Sequence, residues 1–406
     1  MTATKTKGVV GMTQELMTVQ AGEVGTAEKS FDDFVEEWQN FLAKKSAKHK
    51  REAKPRTLES YRYALKVFKS WLDGEGIAIG EANEQTISDW TVAMNAAKNS
   101  KGQPWSPSTK NLYLSGVRSF FKWLAAEYKN LGVVDITAGF GNWECSREHK
   151  RGFLSLEDMG KLLAVVPSVT EEKIAEAEKK FKAQQIKAEK RGSTFNYAAR
   201  LKSYAKTARL QGLRDKAILA TLMCGALRTI EISRLTIGDI AHNGGACVLY
   251  VMGKGRTEKE TVKISRKAER VIREWLTARE AVDVVSNDSP LFCSVANNSF
   301  GEAITSLSVS RLCKEYLRAA ELKNKVYQSE DKATSQTQQE TKPVTAHSLR
   351  GSAATCAVNS GAPLLAVKQH LRHCNISTTM IYVEEAEKFK NPVSDIIADS
   401  LFGGAA

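Results

Sequence analysis

Apolar residues recur every three or four positions through the first third of the chain, the spacing of one face of a helix. In the first such stretch, Phe31, Phe34 and Trp38 follow residues that favour a helix start. Similar stretches continue to about residue 135, so we predict a compact helical domain over residues 28–135. Residues 1–27 show no sustained period, and we predict that they form a flexible tail.

After a polar linker predicted at residues 136–150, the helical pattern resumes and is interrupted once by short strands. An Asn-Gly turn at residue 243 separates two apolar runs, and a glycine-flanked turn follows Met252, which predicts three short antiparallel strands. The predicted fold class is therefore mainly α with a small antiparallel β-sheet, in two domains, the second of α+β type at residues 151–390. Residues 391–406 are a tail whose apolar stripe would pack in cis or on a neighbouring protomer.

Two stretches of the second domain differ in composition from their surroundings. The helix that begins near Ser155 is expected to end before Pro167. Residues 168–210 are helical and alanine-rich, with many more basic than acidic side chains. They form either a solvated helical pair or a contact with DNA or a protomer, and the excess of cations favours DNA. Residues 321–342 are polar without an apolar period, which predicts a flexible loop.

Composition narrows the class of partner. The chain has 406 residues, 59 Lys and Arg against 46 Asp and Glu, and a formal charge of +13, which favours a polyanion such as nucleic acid. Its seven cysteines are odd in number and form no CxxC pair, which indicates reduced thiols. Since no stretch reaches the roughly 18 apolar residues of a membrane span, we expect a cytoplasmic protein with no membrane partner.

A dense basic run follows the first predicted helix. It is either a solvated loop or a clamp on the phosphate backbone, where each neutralised phosphate releases counterions. We favour the clamp. Its candidate DNA-binding residues are Lys44, Lys45, Lys48, Lys50, Arg51, Lys54 and Arg56.

The densest candidate chemistry lies near the carboxy terminus. His347 and Arg350 are three residues apart, so on a helix both can point at one anion. Tyr382 follows His373 after a polar turn that can cap a new helix. Upstream, Arg228 is three residues before a glutamate in an apolar context, which indicates a partly buried arginine with a fixed anionic partner rather than a surface ion pair.

Five motifs carry a family resemblance. They are Gly225-Ala-Leu-Arg228-Thr-Ile-Glu231, Gly253-Lys254-Gly255, His347-Ser-Leu-Arg350, Leu371-Arg-His373 and Ser377-Thr-Thr-Met-Ile-Tyr382. In this order they resemble the signature of the tyrosine recombinases, the Xer-type and phage-integrase enzymes.

The resemblance implies a role for each matched residue. Tyr382 would be the nucleophile, Arg228 and Arg350 would bind the phosphate, and His373 would add a donor to it. His347 would accept the phenolic proton, and Lys254 would protonate the leaving oxygen, with Lys259 as the rival lysine. Glu231 would orient the arginines.

The implied activity is site-specific cutting and rejoining of double-stranded DNA through a 3'-phosphotyrosyl intermediate, without ATP, metal or other cofactor. We expect the integrase of a mobile element, acting in the nucleoid as a homotetramer on paired sites, with accessory DNA-bending or directionality proteins as further partners. The alternatives are a Xer-type dimer-resolution recombinase, a type IB topoisomerase and a catalytically silent DNA-binding regulator.

Residues 168–210 and 321–342 are insertions relative to the pattern of the resembled family. Two single residues also depart from that pattern, and one metal site is an alternative. Arg372 stands where the family usually has glycine, which puts the turn before His373 in doubt, and Gly351 stands where histidine is common. His370 and Cys374, with the other histidines, offer zinc ligands, but their spacing matches no standard zinc pattern. We therefore expect no metal site, and His370 is interpreted as a packing or surface residue.

Overall fold

The computed structural model describes residues 30–44, 53–145, 152–253, 258–331 and 336–387. The chain divides between residues 146 and 147 into two compact units. The predicted tails lie outside the described residues.

The amino-terminal unit is a bundle of helices. The first begins at Ser30, whose hydroxyl accepts a hydrogen bond from the Asp33 backbone while the Asp33 carboxylate accepts one from the Ser30 backbone. The helices are α1 (Phe31–Ala43), α2 (Pro55–Glu75), α3 (Glu84–Ala96) and α4 (Pro107–Glu127).

Aromatic side chains form the core of this bundle. Trp38 meets Phe120 edge-on with ring centroids 5.7 Å apart, and Phe68 meets Trp90 at 4.8 Å. All four are buried, and large rings dominate the burial energy of a small core. The interpretation of these aromatics as core rather than base-stacking residues is confirmed.

The segment predicted as a linker packs in part onto this bundle. The Asn111 side chain accepts a hydrogen bond from the Trp143 backbone at 2.7 Å and donates one to its carbonyl at 2.8 Å. Ile136 is buried. Residues 136–145 therefore belong structurally to the first unit.

The second unit begins with two long helices, α5 (Leu156–Glu189) and α6 (Tyr197–Cys224), that pack against each other. The prediction that the first ends before Pro167 is wrong. A proline removes one helical hydrogen bond and crowds the preceding turn. The helix continues because Leu162, Val166 and Val169, on both sides of the proline, are buried in the core.

A three-stranded antiparallel sheet follows the short helix α7 (Thr229–Ile232). Its strands are β1 (Ile240–Asn243), β2 (Ala246–Met252) and β3 (Lys259–Ile264), as the turn signals predicted. Helices α8 (Arg266–Glu280) and α9 (Ser306–Ala319) come next.

The prediction of a flexible loop at residues 321–342 is wrong. Strands β4 (Asn324–Asp331) and β5 (Gln336–Pro343) pair in antiparallel register, Asn324 opposite Pro343. The two strands pair through backbone hydrogen bonds, which any sequence can form. The polar sequence of this segment therefore gave no apolar alternation from which the strands could be predicted. Lys325 at its base pairs with Asp158 at 2.5 Å.

The last three described helices are α10 (Ala346–Asn359), α11 (Leu364–Leu371) and α12 (Ser377–Glu387). Helix α12 packs against α10 and α11. The fold is mainly helical, with the three-stranded antiparallel sheet and the β4–β5 ribbon. It agrees with the predicted class, mainly α with a small antiparallel sheet. Among the described residues, no helix has the length and apolar character needed to cross a membrane.

Candidate functional site

The first site arginine lies where the chain turns sharply between two helices. Gly225 caps the end of helix α6, and Ala226 has a φ of 46°, in the left-handed region. Arg228 then caps the start of α7. Its backbone N–H donates to Glu231 Oε2 at 2.8 Å, and its guanidinium donates to Oε1 at 2.7 Å. This double contact fixes the Arg228 side chain, which remains partly exposed.

The second arginine is buried at the centre of the site. Arg350 is 1% exposed and donates from Nη1 to the Ala226 carbonyl at 2.6 Å and from Nη2 to the Leu371 carbonyl. Burial, and then the positive charges of Arg228 and Arg372, lower the pKa of Arg350 to about 9. The guanidinium is therefore still charged at neutral pH, and its fork joins the turn after α6 to the end of α11.

A third arginine, Arg372, joins the site at the position where the resembled family usually has glycine. Arg372 has φ 55° and ψ 43°, the left-handed conformation that a glycine adopts easily. Its Nη2 donates to Glu231 Oε2 at 2.7 Å. The turn before His373 therefore forms with arginine in the conformation that glycine would adopt. The only sign of this role in the sequence is that an arginine stands where the resembled family usually has glycine.

Glu231 is the anion that these arginines share. It is 1% exposed, and Arg350 Nη1 lies 3.9 Å from its Oε2. Burial acts to raise the pKa of Glu231, but the charges and hydrogen bonds of Arg372 and Arg228 outweigh it and hold that pKa below its ordinary value. The carboxylate therefore stays ionised.

His373 and Tyr382 lie beside the arginines in the same chain. Their rings are nearly parallel, within 19°, with centroids 6.3 Å apart. The Tyr382 side chain is buried in a cluster with Ala226 and Leu371, whose carbonyls bind Arg350. The structure therefore brings the phenol, one imidazole and the arginine site together within one molecule.

The imidazole of His373 is neutral at physiological pH. Burial, followed by the positive charges of Arg350, Arg228 and Arg372, lowers the pKa of His373 to about 4. One ring nitrogen, Nδ1, is 2.9 Å from Thr379 Oγ1. A neutral imidazole offers one N–H donor and one acceptor, so its ring can make one hydrogen bond to Thr379 and one to a ligand.

Two predicted catalytic residues remain, His347 and Lys254. His347 is exposed on the first turn of α10. Lys254 lies outside the described residues, between β2 and β3. Its rival Lys259 forms an ion pair with the buried Asp239 carboxylate.

The predicted basic clamp is described only in part. Lys54 and Arg56 are exposed at the start of α2, and Lys44 is exposed just after α1. Lys45, Lys48, Lys50 and Arg51 lie outside the described residues.

The alternative zinc ligands do not all face the site. The His370 Nε2 atom lies 3.0 Å from the Cys224 carbonyl, and burial lowers the pKa of its ring. This contact joins α11 to the end of α6 and supports the interpretation of His370 as a packing residue.

Gly351 explains why Tyr382 can approach α10. A Cβ atom at this position would lie 2.6 Å from Cε1 of Phe153 and 3.4 Å from Cε1 of Tyr382. Phe153 meets Tyr382 edge-on with centroids 6.1 Å apart, and Leu154 is tied to α10 by its N–H, which donates to Ser352 Oγ at 2.8 Å. The missing side chain leaves room for the aromatic pair.

We expect Gly351→Ala to destabilise the protein by about 1–3 kcal/mol, because the methyl group overpacks this contact. The matched control is Gly160→Ala in helix α5, where an added Cβ meets nothing within 4 Å. There the gain in helix propensity should stabilise by up to about 1 kcal/mol. Thermal denaturation measures both. Equal shifts for the two variants would contradict the steric argument.

Comparison with known proteins identifies the family. The model of the "Phage integrase family" matches residues 194–388, and that of the "Phage integrase, N-terminal SAM-like domain" matches residues 35–128. A tyrosine recombinase of Synechocystis is 28% identical over 193 residues, 47% of this chain, and the chain spans about half of that relative's length, 54%. The tyrosine recombinase XerD of Brucella suis is 28% identical over 86% of this chain and 93% of its own.

A solved structure shows the same fold. The XerH site-specific recombinase, bound to its palindromic difH substrate in a post-cleavage complex, superposes with a TM-score of 0.57 at 16% identity, covering 96% of this chain and 95% of that one. The amino-terminal and the catalytic family models match this chain in that order. The chain belongs to the phage integrase family of tyrosine recombinases.

Proposed function

We propose that this protein cuts and rejoins double-stranded DNA at a specific site through a covalent 3'-phosphotyrosyl intermediate, as the integrase of a mobile element. One observation carries the proposal: the Tyr382 ring lies in the same chain against His373 and beside the two arginines at 228 and 350. DNA is the substrate class because the similar XerH structure is a complex with its difH site, and the charge of +13 suits a polyanion.

The chemistry follows from the groups present. The phenolic oxygen of Tyr382 attacks the scissile phosphorus, and the bond from phosphorus to the 5'-oxygen breaks. The 3'-phosphate of the cut strand is then joined to the tyrosine. His347 takes the phenolic proton and Lys254 gives one to the departing 5'-oxygen. A 5'-hydroxyl from another strand then reverses the step. Because the number of phosphoester bonds is conserved, the cycle needs no ATP.

The arginines stabilise the charge that builds up at phosphorus. A guanidinium has five N–H donors. Arg350 uses donors on the Ala226 and Leu371 carbonyls, so others remain for a nonbridging oxygen, and Arg228 supplies a second, partly exposed fork. Preorganised donors in a buried site contribute strongly because they need not reorient during the reaction.

The proposed reaction is carried out by a homotetramer on paired sites. Exchange between two duplexes requires four strand cuts, and each chain brings one tyrosine to its own arginines. Four chains on paired sites are therefore needed.

A Xer-type dimer-resolution recombinase is the second candidate, favoured by the match to Brucella XerD over most of both chains. Nicked suicide duplexes test the activity and separate the two candidates, because loss of the short fragment beyond the nick traps the intermediate. Duplexes drawn from the DNA that flanks the gene should yield a detergent-resistant, protease-sensitive complex blocked at the 3' end. A complex formed only with a chromosomal resolution site favours the second candidate, and a 5' linkage would refute both.

A further inference from the structure

The buried carboxylate of Glu231 lies near three arginines, which is more than it needs to orient Arg228. Arg228 alone already makes two hydrogen bonds to it, one from the backbone and one from the side chain. Arg372 adds a third at 2.7 Å, and Arg350 lies 3.9 Å away. Three guanidinium groups thus surround one anion.

The charges of these four groups show what Arg372 adds. Three positive charges and one negative charge sum to +2. Without Arg372 the sum is +1, since Glu231 would cancel one of the two arginines that face the phosphate. The attacked phosphate gains negative charge, so it needs both.

We propose that Arg372 is a positioning residue that holds Glu231 and offsets its charge, so that Arg228 and Arg350 both act on the scissile phosphate. This rests on the proposed function. Arg372 does not itself contact DNA in this scheme. It acts through Glu231.

Two further observations support this role over a purely structural one. Arg372 keeps a left-handed backbone conformation, which costs an L-residue roughly 1–2 kcal/mol and costs glycine little. Its Nε is also buried without a hydrogen-bond partner among the described residues, and such burial is unfavourable. Glycine would avoid both of these costs, so the geometry of the turn alone does not explain an arginine here.

The test uses Arg372→Gly, which relieves the backbone while it removes the charge, alongside Glu231→Gln and the double variant. We expect Arg372→Gly to slow single-turnover cleavage of a saturating suicide duplex by at least about tenfold. Because the offset is needed only when Glu231 is charged, the double variant should be no slower than Glu231→Gln alone. Arg372→Lys, which keeps the charge, should recover part of the rate.

A second readout separates positioning from folding. Because the Arg372 charge helps to lower the pKa of His373, Arg372→Gly should raise that pKa in an NMR titration, and Arg372→Lys should restore it. Wild-type cleavage by Arg372→Gly, or multiplicative defects in the double variant, would overturn the proposal. If the wild-type protein cleaves no duplex while the His373 titration still responds, the proposed function fails instead.

An independent observation concerns residues 178–206, which we name the helical arm. It comprises the end of α5, the start of α6 and their connection, and none of its side chains is buried. An aromatic seam joins the two helices: Phe181 lies 6.4 Å from Phe195 and 5.9 Å from Tyr204, centroid to centroid. The arm therefore stands outside the hydrophobic core.

The arm concentrates the positive charge of the protein. It has nine Lys and Arg against two Glu, a net +7 of the chain's +13. Among the described residues, Lys182 is the only one of the nine with a carboxylate partner, Glu178 at 2.7 Å. A solvated helical pair would gain solubility from mixed charges, whereas this one repels itself.

We infer that the helical arm binds the phosphate backbone of duplex DNA. Lys180 and Lys187 are exposed on one side of α5 at helical spacing, and Lys190, which caps the end of this helix, is exposed as well. Changing all three to Gln should reduce the slope of log affinity against log salt by roughly 2 to 3, since each phosphate contact contributes about 0.9.

The opposite charge change is the control. The double variant Glu178→Gln/Glu189→Gln, which removes both acidic charges of the arm from the same helix, α5, should strengthen DNA binding. Unchanged affinity and salt slope in both variants would refute DNA binding by the arm. Loss of assembly with unchanged affinity would also refute it, and would assign the arm to a protomer contact.

Discussion

Tyr382→Phe should abolish the covalent protein–DNA complex. The variant lacks the only atom that the proposed reaction uses as nucleophile, so we expect cleavage to fall by at least about 10⁴-fold. The ring that packs against Phe153 and His373 is retained, so the melting temperature and DNA affinity should change little. Gel detection of the trapped complex on a suicide duplex measures the effect.

The matched control is Tyr250→Phe, which removes an exposed hydroxyl from β2 in the same unit. It should cleave at the wild-type rate. Full strand transfer by Tyr382→Phe would contradict the assignment of the nucleophile.

Arg350→Lys should lower the cleavage rate by roughly 10²- to 10³-fold although the charge is conserved. The guanidinium binds the Ala226 and Leu371 carbonyls at once and still has donors for phosphate. A lysine ammonium lacks this planar fork, so it cannot hold both carbonyls and a nonbridging oxygen in the same geometry. Single-turnover rates at saturating DNA measure the loss.

Arg318→Lys provides the comparison, because Arg318 is exposed at the end of α9. We expect neither rate nor stability to change there. A near wild-type rate for Arg350→Lys would show that charge alone suffices at this position.

The sequence predicted the helices best where one face is buried. The spacing of Trp38 and its neighbours and the Asn-Gly turn at residue 243 each have a local physical cause that the structure retains. Of the residues in the family motifs, the structure brings Arg350, His373 and Tyr382 together with the turn that carries Arg228.

The errors arose where long-range packing decides the outcome. Pro167 lies within a helix because buried valines on both sides outweigh the lost hydrogen bond. The β4–β5 ribbon was missed because its pairing depends on backbone groups, which carry no side-chain pattern. Arg372 was noted only as an exception, since nothing local shows that its guanidinium reaches a glutamate 141 residues earlier.

The Phe153 contact has a practical consequence for dissecting the enzyme. A truncation that begins the catalytic fragment at residue 155 would remove no motif residue, yet it would delete the aromatic neighbour of Tyr382 and the Leu154 bond to α10. Chimeras that graft a foreign amino-terminal half should therefore join upstream of Gly152, so that Phe153 and Leu154 keep their contacts with Tyr382 and α10.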